Sequence, residues 1–340
     1  MGVNISDLVE VEEARLDSFK GRKVALDALN MLYQFLSTIR QPTGEPLKDS
    51  EGRVTSHLSG LFYRTAKLVE HEIQPCYVFD GEPPEFKSSV NEKRRKRRKE
   101  AKEKYEEALK KGDMEDAQKY AQQSSKIQDE MIDQSKELLD AMGIPWVQAP
   151  SEGEAQAARM AKNGDVWAAG SQDFDSLLFG APVLLRNLTI TGKRKLPNKE
   201  KYVKIRPEKI DLSATLRKLD IDHDQLILLG ILVGTDYNPG GVTDIGPKTA
   251  LKLVKEHGDI RSLEENVDWE YKNSMEKIFD FFKNPPLEKD YELEWRQPDE
   301  EKIKEFLCDR HDFSENRIQK SIDRLKKASE GGTQSRLDSF

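Results

Sequence analysis

RKVALD (residues 22–27) is a short apolar run that ends in an aspartate, and CYVFDG (76–81) repeats this pattern after a helix-like stretch, HLSGLFYRTAKLVEHE (57–72). Two further apolar runs follow, VWAAGSQDFD (166–175) and PVLLRNL (182–188). Apolar strands that alternate with helical stretches are typical of a mainly parallel sheet covered by helices on both faces. The pattern therefore predicts an α/β fold built on a mainly parallel, twisted sheet flanked by helices.

Acidic residues stand where the predicted strands end. In open parallel sheets, ligands collect at the carboxyl ends of the strands. A carboxylate buried there is costly unless a cation or hydrogen bonds compensate its charge. Seven acids have such a position or lie in a short acidic motif: Asp27 and Asp80 end their strands, Glu152 and Glu154 lie in APSEGEA (149–155), Asp173 and Asp175 in SQDFDSLL (171–178), and Asp236 in VGTDY (233–237).

This set of carboxylates indicates a site for hard divalent cations. The candidate ligands are all oxygen donors with no directly adjoining His or Cys, which favours Mg²⁺ or Mn²⁺ over zinc. Two such ions about 4 Å apart can activate a water molecule and stabilise the leaving oxygen of a phosphodiester. Each acid taken alone also fits a structural role: Ser151 and Glu154 match a helix capping box, Asp27 and Asp80 are typical N-caps or turn formers, Asp173 and Asp175 fit a solvated turn, and Asp236 fits a Gly-rich turn.

The charge distribution indicates a nucleic-acid partner although the net charge is −7. Residues 87–111 hold twelve Lys or Arg against five Glu, and KRKLPNKEKYVKIR (193–206) holds seven against one, whereas acids dominate 256–301. The two cysteines form no CxxC pair, and the five histidines are scattered, so neither a disulfide framework nor a zinc site is predicted. The acidic start, MGVNISDLVEVEEARLD (1–17), and the absence of a long apolar stretch predict an intracellular protein of the cytoplasm or nucleoid with no membrane partner.

Two helical elements stand out between and after the strands. The charged stretch from Asp80 to Gly143 predicts two helices joined at Gly112-Asp113, of which the first, basic on all sides around KRRKRRK (93–99), projects from the body. DQLILLGILVGTDYNPGGVTDIGPKTALKLVKEH (224–257) predicts a helix, a Gly-rich hairpin and a second helix that carries Lys248 and Lys252, an arrangement suited to gripping phosphates. The end of the chain, EGGTQSRLDSF (330–340), is expected to form a flexible tail.

Six motifs in order resemble the flap endonuclease branch of the 5′ nuclease superfamily, in its archaeal type: VALDALNMLYQFL (24–36), YVFDGEPPEFK (77–87), APSEGEAQAA (149–158), DFDSLLFG (173–180), GTDY (234–237) and DIGPKTAL (244–251). The resemblance covers nearly the whole chain. It implies a structure-specific 5′-flap endonuclease with 5′–3′ exonuclease activity that cleaves branched DNA near the junction of single strand and duplex. Such an enzyme uses two-metal-ion phosphodiester hydrolysis in Okazaki-fragment processing and DNA repair.

The resemblance also implies roles for particular residues. The seven acids would bind two Mg²⁺ ions per chain, with Mn²⁺ as a substitute. Lys87 and Arg94, about two turns apart on one helix, match the basic pair that contacts the scissile phosphate. Tyr33 resembles an aromatic residue that stacks on an unpaired base, whereas without the resemblance it would be assigned to the core.

The remaining implications concern the DNA and a protein partner. The basic helices resemble an arch around the 5′ strand, and the hairpin with Gly246, Lys248 and Lys252 would hold the downstream duplex, with K⁺ at the carbonyls near Gly241 to Gly246. Residues 41–56 resemble a loop that captures an unpaired 3′ end. QSRLDSF matches the pattern Q-x-x-L-x-x-F for a sliding clamp of the PCNA type, with anchors Gln334, Leu337 and Phe340. The enzyme is expected to act as a monomer.

These motifs suggest a division of the chain and leave two other functions open. The expected regions are an N-terminal nuclease region (1–98), the arch (99–142), an internal nuclease region with the helix–hairpin–helix (143–258), a C-terminal helical region (259–329) and the tail (330–340). A metal-dependent phosphatase would use Asp80 or the Asp173-Phe174-Asp175 motif as its nucleophile. A non-catalytic clamp adaptor for branched DNA would not need seven acids at buried strand ends.

Overall fold

A seven-stranded sheet forms the centre of the molecule. The computed structural model describes residues 2–41, 43–111, 113–123, 126–189, 193–195, 202–271 and 273–337. Its strands are β1 (Val11–Glu13), β2 (Lys23–Asp27), β3 (Gln74–Phe79), β4 (Trp146–Gln148), β5 (Ala168–Gly170), β6 (Val183–Arg186), β7 (Lys193–Lys195), β8 (Tyr202–Lys204) and β9 (Glu208–Asp211). Strands β7 and β8 pair separately, as a short antiparallel hairpin in the basic stretch 193–206.

The strand order in the central sheet is β1-β9-β6-β5-β2-β3-β4. Strands β2 to β6 pair in parallel, while β9 and β1 run antiparallel at one edge. This confirms the predicted α/β class with a mainly parallel sheet. Since the parallel strands point the same way, the residues that follow them lie along one edge of the sheet.

The helices are α1 (Ala28–Thr38), α2 (Ser56–Glu70), α3 (Ser88–Lys111), α4 (Met114–Gln123), α5 (Asp129–Ala141), α6 (Gly153–Asn163), α7 (Asp175–Leu178), α8 (Leu212–Leu219), α9 (His223–Val233), α10 (Pro247–His257), α11 (Ile260–Asn266), α12 (Met275–Lys283), α13 (Glu300–Lys304) and α14 (Glu315–Leu337). They cover both faces of the sheet. The packing of β2 shows this, since its alternate residues belong to different hydrophobic clusters. Ala25 packs on the face that carries α6 and α9, whereas Val24 and Leu26 pack on the face that carries α1 and α2. A strand buried on both faces reads as the continuous apolar run seen in the sequence.

The segment between β3 and β4 holds three helices, so the prediction of two was wrong. Helix α3 ends before Gly112 as expected, but residues 126–128 are not helical, and α5 starts only at Asp129. Helices α3 and α4 pack on each other through small residues that belong to neither core cluster: Ala101, Ala108 and Ala121. Helix α5 is amphipathic and buries Leu138 and Leu139 in the core, so the basic α3–α4 hairpin is the arch-like element. The expected boundary after residue 98 falls within α3.

The predicted helix–hairpin–helix consists of α9, the loop 234–246 and α10. Helix α14 continues to Leu337, into the segment that was expected to be a flexible tail. No proline interrupts this stretch, and extending an existing helix costs little compared with nucleating one. Among the described residues, no helix combines the length and the apolar character that crossing a membrane requires.

Candidate active site

Two of the predicted acids lie at the ends of neighbouring parallel strands and also cap helices. Asp27 ends β2, and its Oδ1 accepts a hydrogen bond from the Asn30 backbone N–H (3.0 Å) at the start of α1. Asp80 follows β3 and accepts from the Gly153 backbone N–H (2.7 Å) in the first turn of α6. The N-cap interpretation of Asp27 is therefore correct, and it coexists with a position beside the other acids.

Glu152 and Glu154 belong to the start of α6. Glu152 is the N-cap residue, without a capping hydrogen bond from its side chain. Glu154 accepts hydrogen bonds at Oε1 from the Ser171 hydroxyl (2.5 Å) and from the Ser176 hydroxyl (3.3 Å). The Ser151–Glu154 capping box is therefore absent, and Glu154 points toward the edge of the sheet instead.

Asp173 lies in the turn that follows β5, and Asp175 is the first residue of α7. Asp173 Oδ2 accepts from the Asn30 side-chain amide (3.1 Å), and Asp175 Oδ1 accepts from the Val3 backbone N–H (2.7 Å). Gly2 lies directly against both acids: a Cβ at this residue would lie 2.8 Å from Asp173 Cβ and 2.8 Å from Asp175 Oδ1. No sequence pattern predicts that residues 2 and 3 reach this site.

Asp236 lies in a loop that is held by hydrogen bonds from the Asn238 side chain. Asn238 is fully buried; its Oδ1 accepts from the Thr235 backbone N–H (3.1 Å) and hydroxyl (2.7 Å), and its amide donates to the Ile231 carbonyl (2.6 Å) at the end of α9. On the other side of the loop, the Tyr271 hydroxyl lies 2.8 Å from the Pro239 carbonyl oxygen. These contacts hold the first part of the loop 234–246 in place next to α9.

The acids share one electrostatic environment. Burial raises the pKa of Asp27 well above its ordinary value, and repulsion from Asp80 adds to the shift. Burial and the charge of Glu152 raise the pKa of Asp80 to about 6. These shifts show that the protein alone does not fully stabilise the negative charges that it collects here.

The same holds on the other side of the cluster. Burial and the charge of Asp175 raise the pKa of Glu154 well above its ordinary value. Burial and repulsion from Asp236 raise the pKa of Asp175 to about 7. Mutual repulsion thus links all seven predicted acids: Asp27, Asp80, Glu152, Glu154, Asp173, Asp175 and Asp236.

Lys87 reaches into this acid cluster. Its Nζ donates to both carboxylate oxygens of Glu152 (2.9 and 2.8 Å) and lies 3.6 Å from Asp236 Oδ2. Burial lowers the pKa of Lys87, but the charges of Glu152 and Asp236 outweigh this and raise it. Lys87 ends a short 3-10 turn, Glu85–Lys87, and α3 begins at the next residue. The prediction that Lys87 and Arg94 share one helix was therefore wrong, and the Arg94 side chain lies outside the described part of the structure.

The donor set fits a hard divalent cation, although the side chains are not yet arranged around one. Seven carboxylates in a mutually repelling group, with Asp27 and Asp175 buried and the others partly buried, match the ligand preference of Mg²⁺ or Mn²⁺. In the part of the chain that the structure describes, however, no three Asp, Glu, His or Cys side chains are grouped so that they could hold an ion as they stand. The pairing of Glu152 with Lys87 is one physical reason for this.

The residues predicted to stack on an unpaired base or to hold the duplex are exposed in the described structure. Tyr33 is 37% exposed, which excludes the core assignment, and its hydroxyl accepts a hydrogen bond from Arg98 Nη1 (2.8 Å) of α3. Gly246 is the N-cap residue of α10, with open space where a Cβ would stand, and Lys248 and Lys252 are exposed on that helix.

The clamp motif falls at the edge of the described structure. Gln334 and Leu337 lie on the backbone of α14, but their side chains are outside the described residues, as is Phe340 altogether.

Known proteins resemble this chain along its whole length. The XPG N-terminal domain matches residues 3–101, and the XPG I-region matches residues 143–236. Flap endonuclease 1 of Hyperthermus butylicus is 57% identical over 332 residues, which are 96% of this chain and 95% of the relative. Flap endonuclease 1 of Pyrococcus horikoshii is 57% identical over 341 residues, which are 100% of this chain and 98% of the relative.

The chain belongs to the flap endonuclease 1 family. The solved flap endonuclease-1 from Methanococcus jannaschii superposes with a TM-score of 0.78 at 42% identity, over 97% of this chain and 100% of the other. The catalytic core of Rad2 in complex with DNA substrate superposes with a TM-score of 0.70 over 96% of this chain and 100% of the other, but at 23% identity it shows the fold alone.

Membership of this family confirms the resemblance drawn from the six motifs. The family consists of metal-dependent nucleases, so the predicted enzyme class, a structure-specific 5′ flap endonuclease, is confirmed. The phosphatase and the non-catalytic adaptor are not favoured. Sequence reasoning missed Val3, Asn30, Ser171 and Asn238, which donate to the acids or fix the loop that carries Asp236.

Proposed function

We propose that this enzyme binds branched DNA and cuts 5′ flaps near the junction of single strand and duplex, with 5′–3′ exonuclease activity, in Okazaki-fragment processing and DNA repair. The observation that carries the proposal is the group of seven mutually repelling carboxylates, withdrawn wholly or partly from solvent, at the carboxyl edge of the sheet. No structural need of the fold accounts for so many repelling acids. A phosphodiester hydrolase that recruits divalent cations does need them.

The acid cluster would hold two Mg²⁺ ions per chain, with Mn²⁺ as a substitute: its members are Asp27, Asp80, Glu152, Glu154, Asp173, Asp175 and Asp236. When bound, the ions supply an activated water and positive charge that stabilises the leaving oxygen. The protein's own part is to hold the acids through neutral donors. Lys87 and Arg94 are assigned to the scissile phosphate, where a positive charge opposes the extra negative charge of the transition state.

Two exposed elements are suited to hold the DNA. Tyr33 presents its ring near the basic helix α3 and is assigned to stacking on an unpaired base. The N-terminus of α10 presents Gly246 to open space, and the adjoining Lys248 and Lys252 add positive charge for duplex phosphates. The same hairpin is assigned a K⁺ ion at the carbonyls between Gly241 and Gly246. Binding of this kind recognises the shape of DNA rather than its sequence.

The C-terminal motif is assigned to a PCNA-type sliding clamp, through Gln334, Leu337 and Phe340, and the enzyme is proposed to act as a monomer. Removal of residues 334–340 should leave intrinsic flap cutting unchanged and abolish stimulation by the clamp. Stimulation that persists after the deletion would reject this assignment.

The nuclease activity is tested with 5′-flap, nicked and plain duplex DNA, in Mg²⁺ and then in chelator. We expect incision of the flap in Mg²⁺, weaker cutting of the nicked duplex, and none in chelator. Asp80→Ala and Asp173→Ala should abolish cutting and retain DNA binding, whereas Asp290→Ala, at an exposed acid outside the six motifs, should cut like the wild type. Wild-type cutting by Asp80→Ala would reject the site.

A further inference from the structure

Lys87 is held inside the acid cluster rather than at its mouth. Its side chain is 10% exposed, and Glu152, its bidentate partner, is 12% exposed. The ammonium group lies 5.6 Å from the centre of the Tyr237 ring, which closes one side of the site. A buried ammonium in this position neutralises charge that water does not reach.

Three other acids of the cluster accept hydrogen bonds from neutral donors. Asp80 accepts from a backbone N–H, Glu154 from serine hydroxyls and Asp175 from the backbone of Val3. These hydrogen bonds orient the carboxylates without cancelling their charge. The positive charge of Lys87 acts on Glu152 and Asp236 as a cation bound between them would.

Lys87 and a divalent cation compete for the same oxygen atoms. Both carboxylate oxygens of Glu152 accept hydrogen bonds from Lys87 at 2.8–2.9 Å, so one lone pair of each oxygen is engaged and an ammonium charge stands where a bound ion would repel it. The preceding residue, Phe86, packs against Tyr237 and Phe281 with ring centroids 5.2 and 5.3 Å apart. Because Phe86 anchors the turn, the long Lys87 side chain can swing away while its backbone stays in place.

We propose that Lys87 is the internal counter-ion of the metal-free site and that cation binding displaces its ammonium group from Glu152 and Asp236. The displaced group is then free to meet a phosphate. This inference rests on the proposed metal site, and it goes further by making Lys87 a competitor of the metal as well as a contact of the DNA. The order of assembly follows: cations first release the lysine that the substrate later uses.

The test measures Mn²⁺ binding by electron paramagnetic resonance without DNA, together with the urea midpoint of unfolding in chelator. Lys87→Met should bind Mn²⁺ about tenfold more tightly than the wild type, a factor equivalent to about 1.4 kcal/mol. In chelator the same variant should unfold at lower urea, because it leaves Glu152 uncompensated, and Mn²⁺ should remove that deficit. An unchanged Mn²⁺ affinity would overturn the proposal.

Two further variants separate displacement from general charge effects. Lys96→Met removes a positive charge from the exposed part of α3 and should leave Mn²⁺ affinity unchanged. Lys87→Arg can still pair with both oxygens of Glu152, so it should remain folded in chelator and bind Mn²⁺ no more tightly than the wild type. If Lys87→Arg gained affinity, or if Lys96→Met gained as much as Lys87→Met, the proposal would be wrong. Failure of the wild type to bind Mn²⁺ would instead remove the metal site itself.

Discussion

Two regions of the molecule withdraw carboxylates from water, and they treat them in opposite ways. Near the C-terminal helices, Asp49 has no exposed side-chain surface and accepts from the Arg53 backbone (2.8 Å), the Arg53 guanidinium (2.8 Å) and the ring of His311 (3.1 Å). Burial raises the pKa of Asp49, but the hydrogen bonds from Arg53 and His311 outweigh it and lower the value to about 2. In the acid cluster, burial and repulsion from Asp236 raise the pKa of Asp175 to about 7.

The difference distinguishes an acid whose charge the fold compensates from the acids proposed to bind metal. Asp49 joins the loop 47–54 to the residues before α14, and its neighbours supply the compensation that its burial requires. In the described part of the cluster, neutral donors and Lys87 do not offset the repulsion between the acids, since the pKa values of Asp80 and Asp175 remain raised. Unsatisfied charge of this kind is expected where a ligand completes the site.

The largest predicted effect comes from Asp175→Asn. Cutting of flap DNA in Mg²⁺ should fall about a thousandfold or more, because a direct or water-mediated cation ligand is lost. In chelator the same variant should be at least as stable as the wild type, since a neutral amide avoids the repulsion and its oxygen still accepts from Val3. Single-turnover cleavage and urea unfolding measure both quantities; a variant that cuts normally, or that is destabilised in chelator, would erase the contrast with Asp49.

The next effect is the pH dependence of stability in chelator. Asp80 and Asp175 have pKa values of about 6 and 7 in the folded protein and an ordinary value of 3.8, so the folded state binds more protons between these limits. Stability from these groups must then decrease as pH rises from about 4 to 7, by a few kcal/mol at roughly 1.4 kcal/mol per pKa unit. Urea unfolding at several pH values checks this. Mg²⁺ should flatten the slope, and a metal-independent slope would contradict the assignment.

Asp49→Asn should destabilise the folded protein, whereas Asp175→Asn should not, and its effect should be smaller than the two preceding ones. At neutral pH it should lower the free energy of unfolding by about 1–2 kcal/mol, because Arg53 and His311 lose a charged acceptor. The loss stays small because water partly solvates the Arg53 side chain. The folded pKa of Asp49 lies below the ordinary 3.8, so its stabilisation is present above that value and is lost as pH falls toward about 2. Acid unfolding of both proteins between pH 2 and 5 tests this, and a deficit that Mg²⁺ repaired would show that Asp49 belongs with the acid cluster.

The sequence predicted the parts of this contrast that periodicity and charge reveal. Asp27 and Asp80 were found because an acid directly after a buried apolar run is unusual, and the parallel sheet brings such ends together. Glu154 was ambiguous, since the capping pattern S-x-x-E is local and only the position of Ser171, far along the chain, decides where the side chain points. The hydrogen bond from His311 to Asp49 could not be predicted, because residues that are far apart in the sequence and meet only in the fold produce no recognisable sequence pattern.

The helices show the same limit. The charged stretch after Pro84 predicted helix correctly, but the break between α4 and α5 depends on Leu138 and Leu139 packing into the core while α3 and α4 pack on each other. Short polar residues such as Asn30 and Asn238 carry no periodic signal at all. Their roles become visible only when the partners they hydrogen bond are placed in space.

The smallest predicted effect compares Ser171→Ala with Ser176→Ala, two buried serines that donate to the same oxygen of Glu154. Ser171 does so at 2.5 Å and also accepts from the Asp173 backbone, whereas Ser176 lies at 3.3 Å. Loss of the shorter bond should weaken metal affinity about tenfold, and loss of the longer one by a factor of about two.

These two substitutions separate orientation of the acids from direct metal binding. If Ser171 only orients Glu154, saturating Mg²⁺ should restore the cutting rate of Ser171→Ala, so that the metal concentration at half-maximal rate rises while the maximal rate stays near the wild type. Titration of Mg²⁺ in a flap-cutting assay measures both constants. A cutting rate that stays low even at saturating Mg²⁺ would place Ser171 in direct contact with the reacting groups. Equal effects of the two substitutions would mean that the length of the hydrogen bond does not control the orientation of Glu154.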